Sequence, residues 1–366
     1  MVGFKANQIT SVPAEALAPT LNWLILTDNR IQKMPSSIGQ CLQMQKLMLA
    51  GNQLSGLPVE LKECKNLELL RLSANRFSAL PTWLFNMPKL AWLALAGNPM
   101  TDSFEATRKA PSIDNINWKN IDVGAKLGEG ASGVIYQAKQ QSNGFSKDVA
   151  VKLFKSAVTS DGLPRSEMAA SIAVGLHPNF VGVLGQISHH PDNAQSLVMP
   201  LVTTDYINLA QPPSLDSCTR DIYANSTVVG LIQLCKIASG VAQAAEYLHN
   251  QGILHGDLYA HNVLCNSEGH SLLGDFGAAS FLPKNDAQMS ESLQRIEVRA
   301  FGILLGELLA HCVEPTDESI QTVKSNLDVL QQQCMQAEVS GRPLFAAVAQ
   351  ELEKCKLHIE VASSIS

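Results

Sequence analysis

The stretch LHGDLYAHNVL, residues 254–264, places His255, Asp257 and Asn262 on one short segment ahead of an apolar run. A histidine, a carboxylate and an amide grouped so closely call for a chemical reason, and three other segments bear on it. KLGEGASGVIYQAK, residues 126–139, spaces Gly128, Gly130 and Gly133 as Gly-x-Gly-x-x-Gly. That spacing alone is weak evidence, because a dinucleotide-binding turn needs a helix directly after it and an acidic residue about twenty positions on. The β-rich run VIYQAK follows instead, so the glycines belong to a hairpin. Its backbone N–H groups can close over phosphates with no side chains in the way. In DVAVKLF the alternation of Val149, Val151 and Leu153 reads as a strand bearing Lys152. RSEMAASIAVGLHPNFV reads as a helix ended by His177-Pro178, and its Glu167 could hold Lys152 in place. LLGDFGAAS adds another acid, Asp275, ahead of Phe276 and Gly277.

These residues need a scaffold, and the first third of the chain has a regularity of its own. LNWLILTDNRI begins at Leu21, MQKLMLAGNQL at Met44, LELLRLSANRF at Leu67 and LAWLALAGNPM at Leu90, each start 23 residues after the last. The shared pattern, apolar-x-x-Leu-x-Leu-x-x-Asn-x-apolar, resembles the leucine-rich repeat. Paired leucines such as Leu47 and Leu49 point inward from a short strand, and Asn29, Asn52, Asn75 and Asn98 are placed to stack as a ladder that binds backbone groups at each turn. Pro35, Pro58 and Pro81 start the return legs. One repeat cannot bury its own apolar face, so the stack must be continuous. VGFKANQI looks like the tail of a further unit with Asn7 in the ladder position, which makes the first strand either an exposed edge or the remnant of a truncated start. Between the buried leucines, Trp23, Ile25, Lys46, Met48, Leu69, Arg71 and Trp92 should face the concave side. A strip with two tryptophans and two cations suits a protein partner; the chain's own second domain is the other candidate to cover it.

The totals fit two domains. The chain has 366 residues, 46% of them hydrophobic, enough for two cores. Its net charge of -6 gives no reason to expect nucleic-acid binding. Residues 1–110 carry a surplus of four positive charges and the remainder a deficit of ten, so the two parts attract weakly at low salt. The eight cysteines form no Cys-x-x-Cys pair and read as reduced, mostly buried thiols of a cytoplasmic protein. No segment has a signal-peptide pattern or an apolar run long enough to cross a bilayer, so no membrane role is expected. TDSFEATRKAPSIDNINW reads as a cap and linker.

From about residue 118 to 360 the motifs taken together resemble a protein kinase domain, in that family's order. The expected architecture is an α/β leucine-rich-repeat solenoid followed by a two-lobed α+β protein-kinase-like domain: repeats at 1–110, a linker at 111–117, an N-lobe at 118–202 and a C-lobe at 203–360. The resemblance implies ATP and Mg²⁺. Asp257 would orient the acceptor hydroxyl and take its proton. Asn262 and Asp275 would hold magnesium, which prefers hard oxygen ligands. Lys152, steadied by Glu167, would hold the α- and β-phosphates. Leu127, Gly128, Gly130, Gly133, Ile135 and Ala150 would surround the nucleotide, with Met199 as gatekeeper and Val202 supplying backbone bonds to adenine in SLVMPLVTT. RAFGILLGELL resembles the buried helix of the C-lobe and GRPLF its closing Arg-Pro motif; His255 would pack beneath Phe276, and His261 reads as a polar loop residue.

The pattern also departs from the family. Gly256 replaces the Arg between His and Asp, so phosphate-switching through that Arg is not expected. Only 21 residues separate Asp275 from Glu297, there is no Ala-Pro-Glu, and Arg342 is left with Glu291 as its nearest candidate partner. Glu297 stands where an Asp usually braces the catalytic loop. Tyr259 stands where Ser/Thr kinases commonly carry a Lys. The expectation is a constitutively competent Ser/Thr protein kinase controlled through its repeats, which recruit a partner or substrate through Trp23, Lys46, Arg71 and Trp92. Tyrosine or dual specificity, a small-molecule phosphotransferase and a pseudokinase scaffold are the alternatives.

Overall fold

In the computed structural model, residues 1–106, 112–142, 144–155, 158–313 and 318–365 are described. The repeats build a five-stranded parallel sheet of β1 (Val2–Gly3), β2 (Trp23–Ile25), β3 (Lys46–Met48), β4 (Leu69–Arg71) and β5 (Trp92–Ala94), in sequence order. The register steps by one repeat, with Leu24, Leu47, Leu70 and Leu93 in line. Each ladder asparagine does two jobs. The Asn52 side-chain N–H donates to the Leu26 and Leu49 carbonyls, and its Oδ1 accepts from the Ile31 N–H. Asn75 repeats this with Leu49, Leu72 and Leu54, and Asn98 with Leu72, Leu95 and Phe77. The buried backbone at each turn is thereby satisfied without a second strand. Pro35, Pro58 and Pro81 each precede a single 3-10 turn, their fixed φ pre-setting its first residue. The first strand is an edge, with Val2 and Phe4 exposed. Helix α1 (Pro99–Ala106) closes the stack.

The linker is shorter than expected. Residues 107–111 lie outside the described residues, but Asp114–Asn117 is a strand, β6, pairing in parallel with β10 (Gly185–Ser188). It joins a six-stranded sheet with β7 (Ile121–Glu129), β8 (Gly133–Ser142), β9 (Phe145–Phe154) and β11 (Ser196–Pro200), in the order β6-β10-β11-β9-β8-β7. The glycines between β7 and β8 form the expected hairpin rather than a strand-to-helix turn. Helix α2 (Pro164–Val174) carries Glu167.

The second lobe is mostly helical: α3 (Leu231–Asn250), α4 (Ala287–Ala310), α5 (Glu318–Cys334) and α6 (Phe345–Ile365). Its short strands are β12 (Ile207–Asn208), β13 (Ile253–Leu254), β14 (Val263–Cys265), β15 (Ser271–Leu273) and β16 (Ser280–Phe281). Helix α4 starts twelve residues after Asp275, capped by Asp286, so little chain is left for an activation segment. No disulfide links the eight cysteines; seven are buried and Cys312 is half-buried. Among the described residues no helix is long and apolar enough to cross a membrane.

The two domains share their cores. Leu69, Ala91 and Trp92 of the repeats pack into the C-lobe cluster that also holds Leu258, Tyr259 and Phe301. In return Leu254, Leu282, Leu293, Ile296 and Val339 pack with the repeat leucines. Helix α4 belongs to both, with Leu293 and Ile296 toward the repeats and Val298 and Phe301 toward the lobe. Because each of these clusters draws buried side chains from both domains, repeats and lobe are packed as parts of common cores.

This corrects the expectation that Arg71 and Trp92 await a protein partner. Arg71 is 2% exposed and Trp92 1%, both covered by the chain's own catalytic loop. Arg342 is corrected too. Its guanidinium donates to the Gln336, Arg295 and Pro88 carbonyls, the last on the repeat domain, while Glu291 pairs with Arg295.

Candidate active site

A cleft of about 580 Å³ lies between the lobes. Leu127, Gly128, Gly130, Ile135, Ala150, Lys152, Glu167, Met199 and Val202 line it, together with Asn262, Asp275 and Phe276. Gly133 and Asp257 do not. Gly133 sits where β8 passes β9, and a Cβ there would meet the Leu153 carbonyl oxygen at 2.6 Å. His261, expected to be an inert loop residue, does line the cleft.

Strand β9 presents Lys152 to the cleft and α2 presents Glu167, and the ammonium and Glu167 Oε1 form an ion pair. Burial pushes the Glu167 carboxyl up, and Lys152 only partly offsets it. Phe276 is buried against His255, ring centres 5.5 Å apart, and against Phe180 at 5.7 Å. His255 Nε2 meets the Gly274 carbonyl at 2.9 Å. Asp275 turns the other way at φ 55°, its carboxyl exposed toward the cleft and its Oδ1 accepting from the Gly277 N–H.

Glu297 on α4 braces the catalytic loop as expected. Its carboxylate accepts from the His255 and Gly256 N–H groups and meets His249 Nε2 at 2.7 Å. Burial alone would raise its pKa, but these partners hold it below the ordinary carboxylate value. Asn262 donates from Nδ2 to the Asp257 carbonyl and to Asp257 Oδ2, both at 2.9 Å, which leaves its Oδ1 unused by these bonds.

Asp257's other oxygen is held by the repeat domain. The Arg71 guanidinium on β4 pairs through Nη2 with Asp257 Oδ1 and donates through Nη1 to the Gly256 carbonyl at 2.7 Å. Its Nε stands 2.9 Å from Asp161 Oδ1, a charge contact outside good hydrogen-bond alignment. Burial pushes both carboxyls up. Arg71, His261 and His255 draw Asp257 below the ordinary value, whereas Asp161 stays above it because Asp257 and Asp275 add like charge. Beside Arg71, Trp92 stacks on Tyr259 with ring centres 4.1 Å apart and donates its indole N–H to the Leu258 carbonyl. Glu68 completes the seam, accepting from both terminal nitrogens of Arg220.

Gly256 explains why the seam closes. Its φ is +76°, and a Cβ there would lie 2.6 Å from the Ala278 carbonyl oxygen and 2.8 Å from that of Leu93 on β5. No side chain fits between loop and repeat sheet. The segment leading into α2 is gripped as well, with Ser73 beside Gly162 and Leu163 beside Gly97. The repeats therefore touch both the catalytic loop and the root of the helix that carries Glu167.

His261 is held by Asp221, Nδ1 to Oδ1 at 2.7 Å, and this pairing raises its pKa against the effect of burial. Nearby Glu307 is pushed up to about 7, by burial first and then by Asp221, and its Oε1 has no partner. Its folded pKa exceeds the unfolded one, so the folded state loses stability as pH rises from about 4.5 through about 7. Glu307→Gln should therefore raise stability at pH 8 by on the order of 2 kcal/mol, seen as a higher thermal midpoint, and leave it unchanged near pH 4. A pH series of melting curves checks this.

Arg71 and Asp161 are the functional neighbours that motif spacing could not reveal, since Arg71 and Asp257 lie 186 residues apart. The signal that was present is the missing Arg at 256 together with an Arg on the concave strip.

The comparisons agree with this geometry. The protein kinase domain model matches residues 121–297, and the leucine-rich repeat model matches residues 19–77 and 43–100. The chain is 30% identical over 223 residues to probable serine/threonine-protein kinase glkA of Dictyostelium discoideum, covering 60% of this chain and 40% of that protein. It is 24% identical over 280 residues to fibroblast growth factor receptor 1 of Pleurodeles waltl, covering 63% and 34%. It is 24% identical over 300 residues to serine/threonine-protein kinase TNNI3K of Homo sapiens, covering 70% and 34%. The matched part thus spans only a third to two-fifths of the length of these relatives. Motifs, fold and comparisons converge: this chain is a leucine-rich-repeat array joined to a protein kinase domain.

Proposed function

We propose that the chain is an ATP- and Mg²⁺-dependent protein kinase acting first on serine or threonine, with tyrosine as the second choice. The observation that carries this reading is the Lys152–Glu167 ion pair facing the same cleft as Asp275 and Asn262, with Phe276 packed beneath. Phosphoryl transfer asks mainly for alignment and charge stabilisation, and these residues are the ones it uses. Lys152 would hold the α- and β-phosphates, and the hairpin of Gly128 and Gly130 would cover them. The donor set fits magnesium: a cleft-facing Asp275 carboxylate and the Asn262 amide oxygen are hard ligands. Among the described residues no cluster of three or more His, Cys, Asp or Glu could hold a metal alone, in keeping with an ion that shares its shell with phosphates and water. When bound, it would neutralise charge on the transferred phosphoryl group.

Asp257 keeps lone pairs free beside those taken by Arg71 and Asn262, enough to accept an acceptor hydroxyl's proton. Arg71 fixes the rotamer of that carboxylate and acts as a positioning residue. Because the repeats touch the loop of Asp257 and the root of α2 together, we read the enzyme as competent without activation-segment phosphorylation. Any protein recruited by the repeats would have to bind outside the covered half of the sheet. Of the relatives whose names state an acceptor class, two are serine/threonine-protein kinases and one is a tyrosine-protein kinase, and the highest identity of the three is to a serine/threonine one.

The test is incubation with labelled Mg·ATP and generic protein acceptors, then acid hydrolysis and phosphoamino-acid analysis. Label on serine or threonine is expected, reduced ~10²–10⁴-fold in Asp257→Asn, the range for a lost general base. Label on amino alcohols but not on protein would favour a small-molecule phosphotransferase. Absence of nucleotide binding would leave a scaffold.

A further inference from the structure

The kinase domain covers only part of the repeat sheet. Leu69, Arg71 and Trp92 are buried beneath it, whereas Trp23, Ile25 and Met48 remain half-buried. Lys46 stands at the border. The register puts Trp23, Lys46, Leu69 and Trp92 in one row across the concave face, and Ile25, Met48, Arg71 and Ala94 in the next. Lys46 is 6% exposed, and its ammonium lies 4.4 Å from the centre of the Trp23 ring. Among the described residues it has no carboxylate partner. Of the two cations on this face, Arg71 is spent on Asp257, Asp161 and the Gly256 carbonyl, while Lys46 keeps donors to offer.

A buried ammonium without a counter-ion is costly, and folded chains keep few of them without a use. Burial pulls the Lys46 pKa down and Arg71 adds to this, while Cys218 first and then Asp257 and Asp221 act in the opposite direction. The charge is therefore within electrostatic reach of the catalytic loop. Met48 and Arg71 are cross-strand neighbours, so the half-buried strip of Trp23, Ile25 and Met48 adjoins the strand whose Arg71 holds Asp257.

We propose that Lys46, with Trp23, Ile25 and Met48, forms the subsite for an acidic acceptor peptide, the ammonium reading an Asp or Glu close in sequence to the phosphorylated hydroxyl. This deepens the protein-kinase reading and rests on it. Lys46 and Arg71 occupy adjacent strands and are offset by two residues, roughly 8 Å between backbones at about 4.8 Å per strand and about 3.3 Å per residue. An extended peptide covers that distance in about two or three residues, which sets where the acidic side chain belongs.

The experiment uses the full chain with labelled Mg·ATP and a positional library of serine- and threonine-containing peptides, each carrying one Glu or one Lys at a flanking position. The wild type is expected to favour Glu over Lys by about tenfold at one or two positions within three residues of the acceptor, Lys46→Met to lose the preference and Lys46→Glu to reverse it. Equal use of the two pools by the wild type, or an unchanged preference in Lys46→Glu, overturns the proposal. Fluorescence anisotropy with labelled Glu and Lys versions of the same peptides gives a second reading that needs no turnover. Binding of the Glu version that is lost in Lys46→Met supports the subsite, and equal binding of both versions or binding of neither overturns it. If no peptide takes phosphate the kinase reading fails, and the anisotropy result still decides the role of Lys46. Lys46→Met should melt no lower than the wild type, since it removes an unpaired buried charge, so its loss of peptide preference cannot come from unfolding.

Discussion

Replacing Gly256 by arginine, the residue the kinase family usually carries there, is expected to destabilise this protein and abolish phosphoryl transfer. The reason is steric. At φ +76° a side chain costs roughly 1–2 kcal/mol in backbone strain alone. The Cβ must also enter a gap bounded by two carbonyl oxygens at 2.6 and 2.8 Å, and forced overpacking adds about 1–3 kcal/mol. One of those oxygens belongs to Leu93 on β5, so the loop can relax only by pushing the repeat sheet away. That would open the Trp92–Tyr259 stack and the Arg71–Asp257 pair together. A total of about 3 kcal/mol or more is a large part of the 5–15 kcal/mol that holds a typical domain folded. Gly256→Ala should already show most of the loss, because the first carbon makes the clash. Melting curves and initial rates on the two variants check this; a Gly256→Arg protein with wild-type midpoint and activity would contradict the packing described.

The second large effect belongs to Arg71. Arg71→Met leaves Asp257 and Asp161 without their shared cation in a buried site, and breaking such a pair costs about 3–5 kcal/mol. Arg71→Lys should rescue little, since one ammonium cannot reproduce a fork that engages a carboxylate, a second carboxylate and a carbonyl at once. In kinetics the loss should fall on kcat, with the KM for ATP nearly unchanged, because Lys152 and the glycine hairpin do not touch Arg71. The pH profile gives a further reading. Arg71 helps draw the Asp257 pKa below its ordinary value, so removing it lets burial push that pKa up. Asp257 would then protonate sooner on acidification, and the acid limb of the kcat profile should move to higher pH. A variant with an unmoved acid limb would show that Arg71 does not act on Asp257.

Much of this site is readable from sequence because each part depends on local spacing. The hairpin glycines, the strand lysine, the helix Glu167 and the Asp257–Asn262 loop each sit in a short motif, and it is the resemblance of those motifs, in their order, to the protein kinase family that gives them their roles, with alternation around Lys152 marking its strand. The Asn ladder and the Pro-led turns repeat every 23 residues and declare themselves in the same way. What could not be read is where the two units meet. Arg71 is a surface cation by its pattern, and only the closed seam turns it into a partner of Asp257. The concave strip was readable as an interaction surface, but not that half of its ligand is the same chain. Gly256 was legible as a missing Arg and not as a space kept clear for β5. His261 looked inert because Asp221, which orients it, lies 40 residues upstream. Asp114–Asn117 looked like linker because a short polar strand at a sheet edge has no apolar alternation to reveal it.

The measurement that bears most directly on the joined active site is a double-mutant cycle between Arg71 and Asp257. Arg71→Met, Asp257→Asn and the double variant would be compared by denaturant unfolding with the wild type. Side chains in direct contact give coupling energies of about 0.5–3 kcal/mol, and this buried pair should fall in the upper half of that range, the double variant losing clearly less than the sum of the singles. Strict additivity would mean that the two residues do not meet, and that the repeats are an appendage rather than one wall of the active site.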